Sequence, residues 1–122
     1  MKLIMPQLFL LKPDFKDSKN DNEGKLYYCP QCAMIAGIIK FYPQLETMLK
    51  INYVDFQRPR KAIIELIGED NQSCPVLVIE NHQEENVDLS YFNSFEDKLF
   101  VNSTDSIIKY LSERYGIGNP HP

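Results

Sequence analysis

Two cysteines two residues apart, Cys29 and Cys32, stand at the head of an apolar run: Tyr27-Tyr28-Cys29-Pro30-Gln31-Cys32 leads straight into the stretch from Ala33 to Tyr42. Three readings fit such a pair: a dithiol redox couple, half of a metal site, or two small buried residues. Pro30 suits the first turn of a helix, where its missing N–H leaves nothing unpaired. That puts Cys29 at the helix N-terminus, where free backbone N–H groups and the macrodipole favour a thiolate over a thiol. Position therefore favours redox chemistry, with the other two readings still open.

The chain before and after this stretch alternates strand and helix signals. Leu8-Phe9-Leu10-Leu11 is a short continuous apolar run of the kind a buried parallel strand shows. A polar loop follows, and the whole connection 12–28 is long for its place before a helix. The first helix is expected from Pro30 to Phe41 or Tyr42, because Pro43 disfavours helix in the residue before it. Met34, Ile35, Ile38, Ile39 and Phe41 leave it little polar face, so it is expected to be largely buried. A short helical turn is expected around Leu45, Met48 and Leu49. Ile51-Asn52-Tyr53-Val54-Asp55-Phe56 reads as the second strand.

Arg58-Pro59-Arg60-Lys61 opens a helix whose Ala62, Ile63, Leu66 and Ile67 share one stripe, with Gly68 as its stop. Pro75-Val76-Leu77-Val78-Ile79-Glu80 is the third strand, beginning on a proline, one of the few places where a strand tolerates one. Residues 81–97 read as a polar connection with an aromatic patch of Tyr91, Phe92 and Phe95. Lys98 to Val101 is the fourth strand. A last helix follows, with Asn102 as expected N-cap, Asp105 three positions on, and Gly116 as its stop. The order β-α-β-α-β-β-α implies parallel strands in the first half, joined by right-handed crossovers. The last two strands are expected to pair antiparallel.

At 122 residues, with 43% apolar and 25% charged residues, the chain is one globular domain, 1–122, that needs no staple to fold. The net charge of −4 and pI near 5.1 give no support for a nucleic-acid partner. No run reaches the roughly 18 apolar residues of a membrane span. Met1-Lys2-Leu3-Ile4-Met5-Pro6 lacks the length and the small-residue cleavage site of a signal peptide. Three cysteines, an odd number, do not make a secreted disulfide framework, so a reducing, cytoplasmic setting is expected.

Order and residues together resemble the thioredoxin superfamily, in particular glutaredoxins and the N-terminal domain of glutathione transferases. Three stretches carry the likeness: Cys29-Pro30-Gln31-Cys32 after the first strand and loop, Ser73-Cys74-Pro75-Val76-Leu77-Val78, and Thr104-Asp105-Ser106-Ile107-Ile108-Lys109-Tyr110-Leu111. More narrowly, Asp55-Phe56-Gln57-Arg58-Pro59-Arg60, Asn71-Gln72-Ser73-Cys74-Pro75-Val76-Leu77 and the terminal Pro120-His121-Pro122 resemble a small family of bacterial thioredoxin-like proteins known only as a domain of unknown function. The resemblance implies an α/β fold with a central four-stranded mixed sheet flanked by helices. It implies Cys29 as nucleophile, Cys32 as the resolving thiol, and Pro75 as a cis-proline facing the pair. The backbone of Cys74 would align a thiol substrate, and Asp105 and Ser106 would hold the γ-glutamyl end of glutathione. Departures are equally plain. Both 12–28 and 81–97 are longer than the superfamily needs, there is no all-helical second domain within these residues, and a thiol at Cys74 is unusual before that proline.

The sequence thus leads to a glutaredoxin-like thiol–disulfide oxidoreductase acting through Cys29 and Cys32, with no bound cofactor and with glutathione or a protein thiol as partner. The competing class is a non-enzymatic binding domain using the same groove. A zinc site would need a fourth ligand from His82, His121 or outside the chain to join Cys29, Cys32 and Cys74. Arg58, with Arg60 and Lys61, is expected either as a solvated face or as the contact for a carboxylate near Cys29. Oligomeric state is not encoded in any of these features.

Overall fold

The computed structural model describes residues 5–21, 23–81 and 86–122. Strands and helices alternate as β1 (Gln7–Leu11), α1 (Pro30–Phe41), α2 (Leu45–Met48), β2 (Lys50–Val54), α3 (Lys61–Ile67), β3 (Val76–Glu80), β4 (Asn93–Phe95), β5 (Lys98–Val101) and α4 (Thr104–Tyr115). They build one sheet of order β2-β1-β3-β5-β4, with β1 and β2 parallel and every other neighbouring pair antiparallel.

The sheet has five strands where four were expected. The additional one, Asn93–Phe95, lies inside the 81–97 connection and pairs with β5 through Asn93, Ser94 and Phe95. Asn-Ser-Phe carries no apolar run, because a three-residue edge strand needs a backbone ladder and one anchored side chain rather than a buried face. Phe95 is that anchor, packed against the cluster around α3. Glu96 sits at φ +52 in the two-residue turn to β5, a conformation that tight hairpins require.

Side chains on successive strand residues point to opposite faces, and the core divides accordingly. Leu8, Leu10, Leu77 and Ile79 face α1 and α4, meeting Ile35, Ile39, Ile107, Tyr110 and Leu111. Phe9, Val76, Val78 and Phe100 face the other way, onto Ile63 and Ile67 of α3. β3 is therefore buried along its whole length, which explains its unbroken apolar run. Glu80 ends that run and is buried too, its carboxylate 3.6 Å from the equally buried Lys98 Nζ on β5.

Other boundaries also moved. Only Cys32, Ile35 and Ile39 of α1 are buried; Met34 and Phe41 are exposed, so the helix covers the sheet with one stripe. β2 stops at Val54, and α3 begins at Lys61 with Arg60 as its N-cap. The N-cap of α4 is Ser103, not Asn102: its Oγ accepts the Ser106 N–H at 3.1 Å. Gly116 ends α4 in the left-handed conformation, φ +71, as a C-terminal glycine does.

Candidate functional site

Strand register brings one end of the sheet together. Phe9 pairs with Val76 and Leu11 with Val54, while Val101 pairs with Leu77. The C-terminal ends of β1, β2 and β5 therefore gather around the start of β3, at Cys74 and Pro75. The Cys74–Pro75 peptide is cis, as is Arg58–Pro59. Asn102 Nδ2 donates to Ser73 Oγ at 3.4 Å, tying the entrance of α4 to the same segment.

α1 delivers the cysteine pair to this end. Cys29 is its N-cap, Pro30 occupies the first turn, and Cys29 Sγ accepts the Cys32 N–H at 3.3 Å. The thiol of Cys29 in turn reaches Gln31 Oε1 at 3.6 Å. Cys32 is buried, and its sulfur accepts the N–H of Leu11 at 3.3 Å. One sulfur is half-exposed and one is enclosed. Burial pushes the Cys32 thiol up to about 12; the Leu11 N–H pulls the other way, while Cys29 and Cys74 add to the rise. Cys74 is half-buried and held at about 11, again first by burial, with Arg60 opposing and Cys29 reinforcing. Cys29, Cys32 and Cys74 all border the same apolar core.

Arg60 is the residue whose role the sequence hid. It is buried, and its guanidinium donates to the carbonyl oxygens of Asp55 (3.3 Å), Gln72 (2.8 Å) and Phe56. Its own N–H is taken by Gln72 Oε1 at 2.8 Å. These bonds staple the loop after β2 to the approach to Cys74. No carboxylate pairs with it among the described residues. Phe56, beneath the guanidinium, stacks on Phe15 at 4.3 Å between ring centres, and Phe15 bridges to Tyr27, so the 12–28 loop is folded back over this end.

One cavity borders the pair and a second adjoins it at Tyr53. The first, about 340 Å³, is lined by both sulfur-bearing residues and by Leu11, Pro13, Tyr28, Ala33 and Tyr53. The other, about 440 Å³, holds Lys12, Asp55, Arg58, Arg60 and Lys61, and shares Tyr53 with the first. Of the residues expected to form a site, Cys29, Cys32, Cys74 and Pro75 stand together at one sheet end. Arg58 lies exposed on the second cavity, while Asp105 and Ser106 occupy the first turn of α4, whose entrance Asn102 ties to Ser73. Among the described residues no three His, Cys, Asp or Glu side chains gather closely enough to hold a metal ion. His121 is exposed in the tail, and His82 lies outside the described residues.

Fold and site together define an α/β protein with a mixed sheet and a Cys-x-x-Cys pair capping a helix beside a cis-proline. The chain belongs to the family described as "Protein of unknown function (DUF3088)", whose model matches residues 5–119. No curated protein and no solved structure matches it. Among the described residues no helix is long and apolar enough to cross a membrane.

Proposed function

We propose that this chain is a thioredoxin-fold dithiol oxidoreductase of the glutaredoxin type, working in the cytoplasm on a thiol or disulfide partner such as glutathione. The observation that carries the reading is the asymmetry of the pair. Cys29 is reachable and accepts a backbone N–H at the head of α1, while Cys32 is enclosed directly behind it. A nucleophile that meets the substrate and a resolver that meets only the nucleophile is what sequential exchange requires.

Cys29, as thiolate, attacks one sulfur of a substrate disulfide and expels the other half as a thiolate. Cys32 then attacks Cys29, its proton passing to the departing substrate thiolate, and the Cys29–Cys32 disulfide closes. The cis peptide before Pro75 supports a role for the Cys74 backbone in aligning the substrate, and the Asn102–Ser73 bond supports an approach for Asp105 and Ser106 from the other side.

The test is the reduction of a glutathione mixed disulfide by wild type and by Cys29→Ser. Loss of at least about a hundredfold in rate is expected from removing the attacking sulfur. A Cys29→Ser protein as fast as wild type sinks the reading and leaves a binding domain in its place.

A further inference from the structure

The two cavities meet at Tyr53 and differ sharply in chemistry. Around the first, Tyr28 and Tyr53 remain 63% and 53% exposed, large apolar rings facing water beside a reactive sulfur. Ala33 and Ala36 keep that wall low, and its volume of about 340 Å³ lies at the small end of the roughly 300–1,000 Å³ of ligand pockets. The second cavity is cationic. Its only carboxylate, Asp55, is engaged by Lys12 at 3.0 Å. Arg58 and Lys61 make no ion pair among the described residues, and Arg60 donates only to neutral acceptors. Beyond the Lys12–Asp55 pair, three further positive charges thus border one cavity in a chain of net charge −4, a local field opposed to the overall one.

Resting on the dithiol reading above, we propose that the substrate of Cys29 is a small organic disulfide with an apolar, ring-sized body and an anionic group. The body lies against Tyr28, Ala33 and Tyr53, and the anion over Arg58 and Lys61. A hydrophilic anionic peptide such as glutathione reacts at Cys29 using the cationic cavity alone and gains nothing from the tyrosine lining, and an uncharged apolar molecule leaves the cationic cavity unmatched. The anion holds the disulfide next to Cys29 while attack proceeds. The Cys29–substrate bond forms and the substrate S–S bond breaks. Cys32 then displaces the second half as a thiol, and two electrons have passed from the dithiol to the substrate.

Three probe disulfides separate the components: 5,5′-dithiobis(2-nitrobenzoate), aromatic and anionic; 4,4′-dithiodipyridine, aromatic and neutral; and bis(2-hydroxyethyl) disulfide, neutral without a ring. Each rate with the reduced full-length chain is divided by its rate with free cysteine. The expected order falls from first to third probe. Arg58→Gln with Lys61→Gln should reduce the anionic-to-neutral aromatic ratio about tenfold, the scale of losing close charge contacts. Tyr53→Ser should reduce the aromatic-to-hydroxyethyl ratio severalfold. Equal normalised rates for all three probes, or ratios that these substitutions leave in place, overturn the proposal. A second readout avoids thiol chemistry: fluorescence titration of 8-anilinonaphthalene-1-sulfonate into the Cys29→Ser protein, with binding expected to weaken about tenfold in the same cavity variants. If that anion binds and weakens as described while Cys29 is inert to every disulfide, the ligand class stands and the dithiol reading falls. No binding at all, or binding indifferent to both substitutions, removes the ligand class itself.

Discussion

The backbone N–H of Leu11 donates to the sulfur of Cys32 at 3.3 Å, joining the last residue of β1 to the first turn of α1. That bond gives an enclosed sulfur a polar partner and fixes the helix head against the sheet. It does not offset burial, which leaves the thiol at about 12.

A pH dependence follows from this enclosure. Cys32 and Cys74 rise from 9.0 to about 12 and about 11, so the folded chain keeps two protons that the unfolded chain releases near pH 9. Below pH 9 both states hold them, and the stability they support is complete. Above it the unfolded state binds fewer protons, and stability falls by up to about 1.4 kcal/mol per pH unit for each thiol until its folded value is reached. Urea unfolding of the reduced protein should show a drop of about 3 kcal/mol between pH 8 and pH 10. Cys74→Ser should remove roughly half of it. A drop that survives replacement of both thiols would assign it elsewhere.

The pair should also separate by variant. Serine is among the best N-caps, so Cys29→Ser keeps the cap of α1 and should stay within about 0.5 kcal/mol of wild-type stability. Its inactivity would then be chemical rather than a failure to fold. The Cys32→Ser, Cys74→Ser protein should still take up one equivalent of glutathione at Cys29 and hold it, because neither neighbouring thiol is left to release it. Mass spectrometry of the protein after exposure to glutathione disulfide reads this directly. Rapid spontaneous release of the adduct would remove Cys32 as resolver.

Most of this architecture was legible because its signals are local. The apolar run of Val76 to Ile79 marks a doubly buried strand, and Pro30 marks the first turn of α1 with Cys29 as its cap. What stayed hidden depends on partners far along the chain. Asn93–Phe95 becomes a strand only because β5 offers an edge, and nothing in Asn-Ser-Phe announces it. Met34 and Phe41 read as core because the side of α1 that meets the sheet is a tertiary choice. Arg60 looked like part of a solvated basic trio. Its burial is set by carbonyls at Asp55, Phe56 and Gln72, which have no side-chain signature.

Arg60 should accordingly matter for stability out of proportion to a surface arginine. Its removal leaves three carbonyls at a buried position without their donor, so Arg60→Ala should cost about 3 kcal/mol. Arg60→Lys should recover little, since an ammonium lacks the planar fork that reaches acceptors in different directions. Chemical denaturation of the three proteins measures this. A cost for Arg60→Ala below about 1 kcal/mol, the range of ordinary surface changes, would show that water replaces the guanidinium at no penalty.

Gly68 and Phe95 form the contact that seats the unexpected strand. Gly68 closes α3 at φ +89, and a Cβ built there would lie 2.7 Å from Phe95 Cε1. Two separate costs attend Gly68→Ala: the positive-φ extended backbone (φ 89, ψ 164), which glycine alone adopts readily and which costs about 1–3 kcal/mol for a residue with a Cβ, and displacement of the ring that anchors β4, about 1–2 kcal/mol more. The two can be told apart. In a Phe95→Ala background the ring is gone, so Gly68→Ala should cost only the backbone component. The double-mutant cycle should therefore show a coupling of about 1 kcal/mol or more. Equal costs for Gly68→Ala in both backgrounds would mean that the Phe95 ring yields freely, and that β4 is held by its ladder to β5 rather than by this anchor.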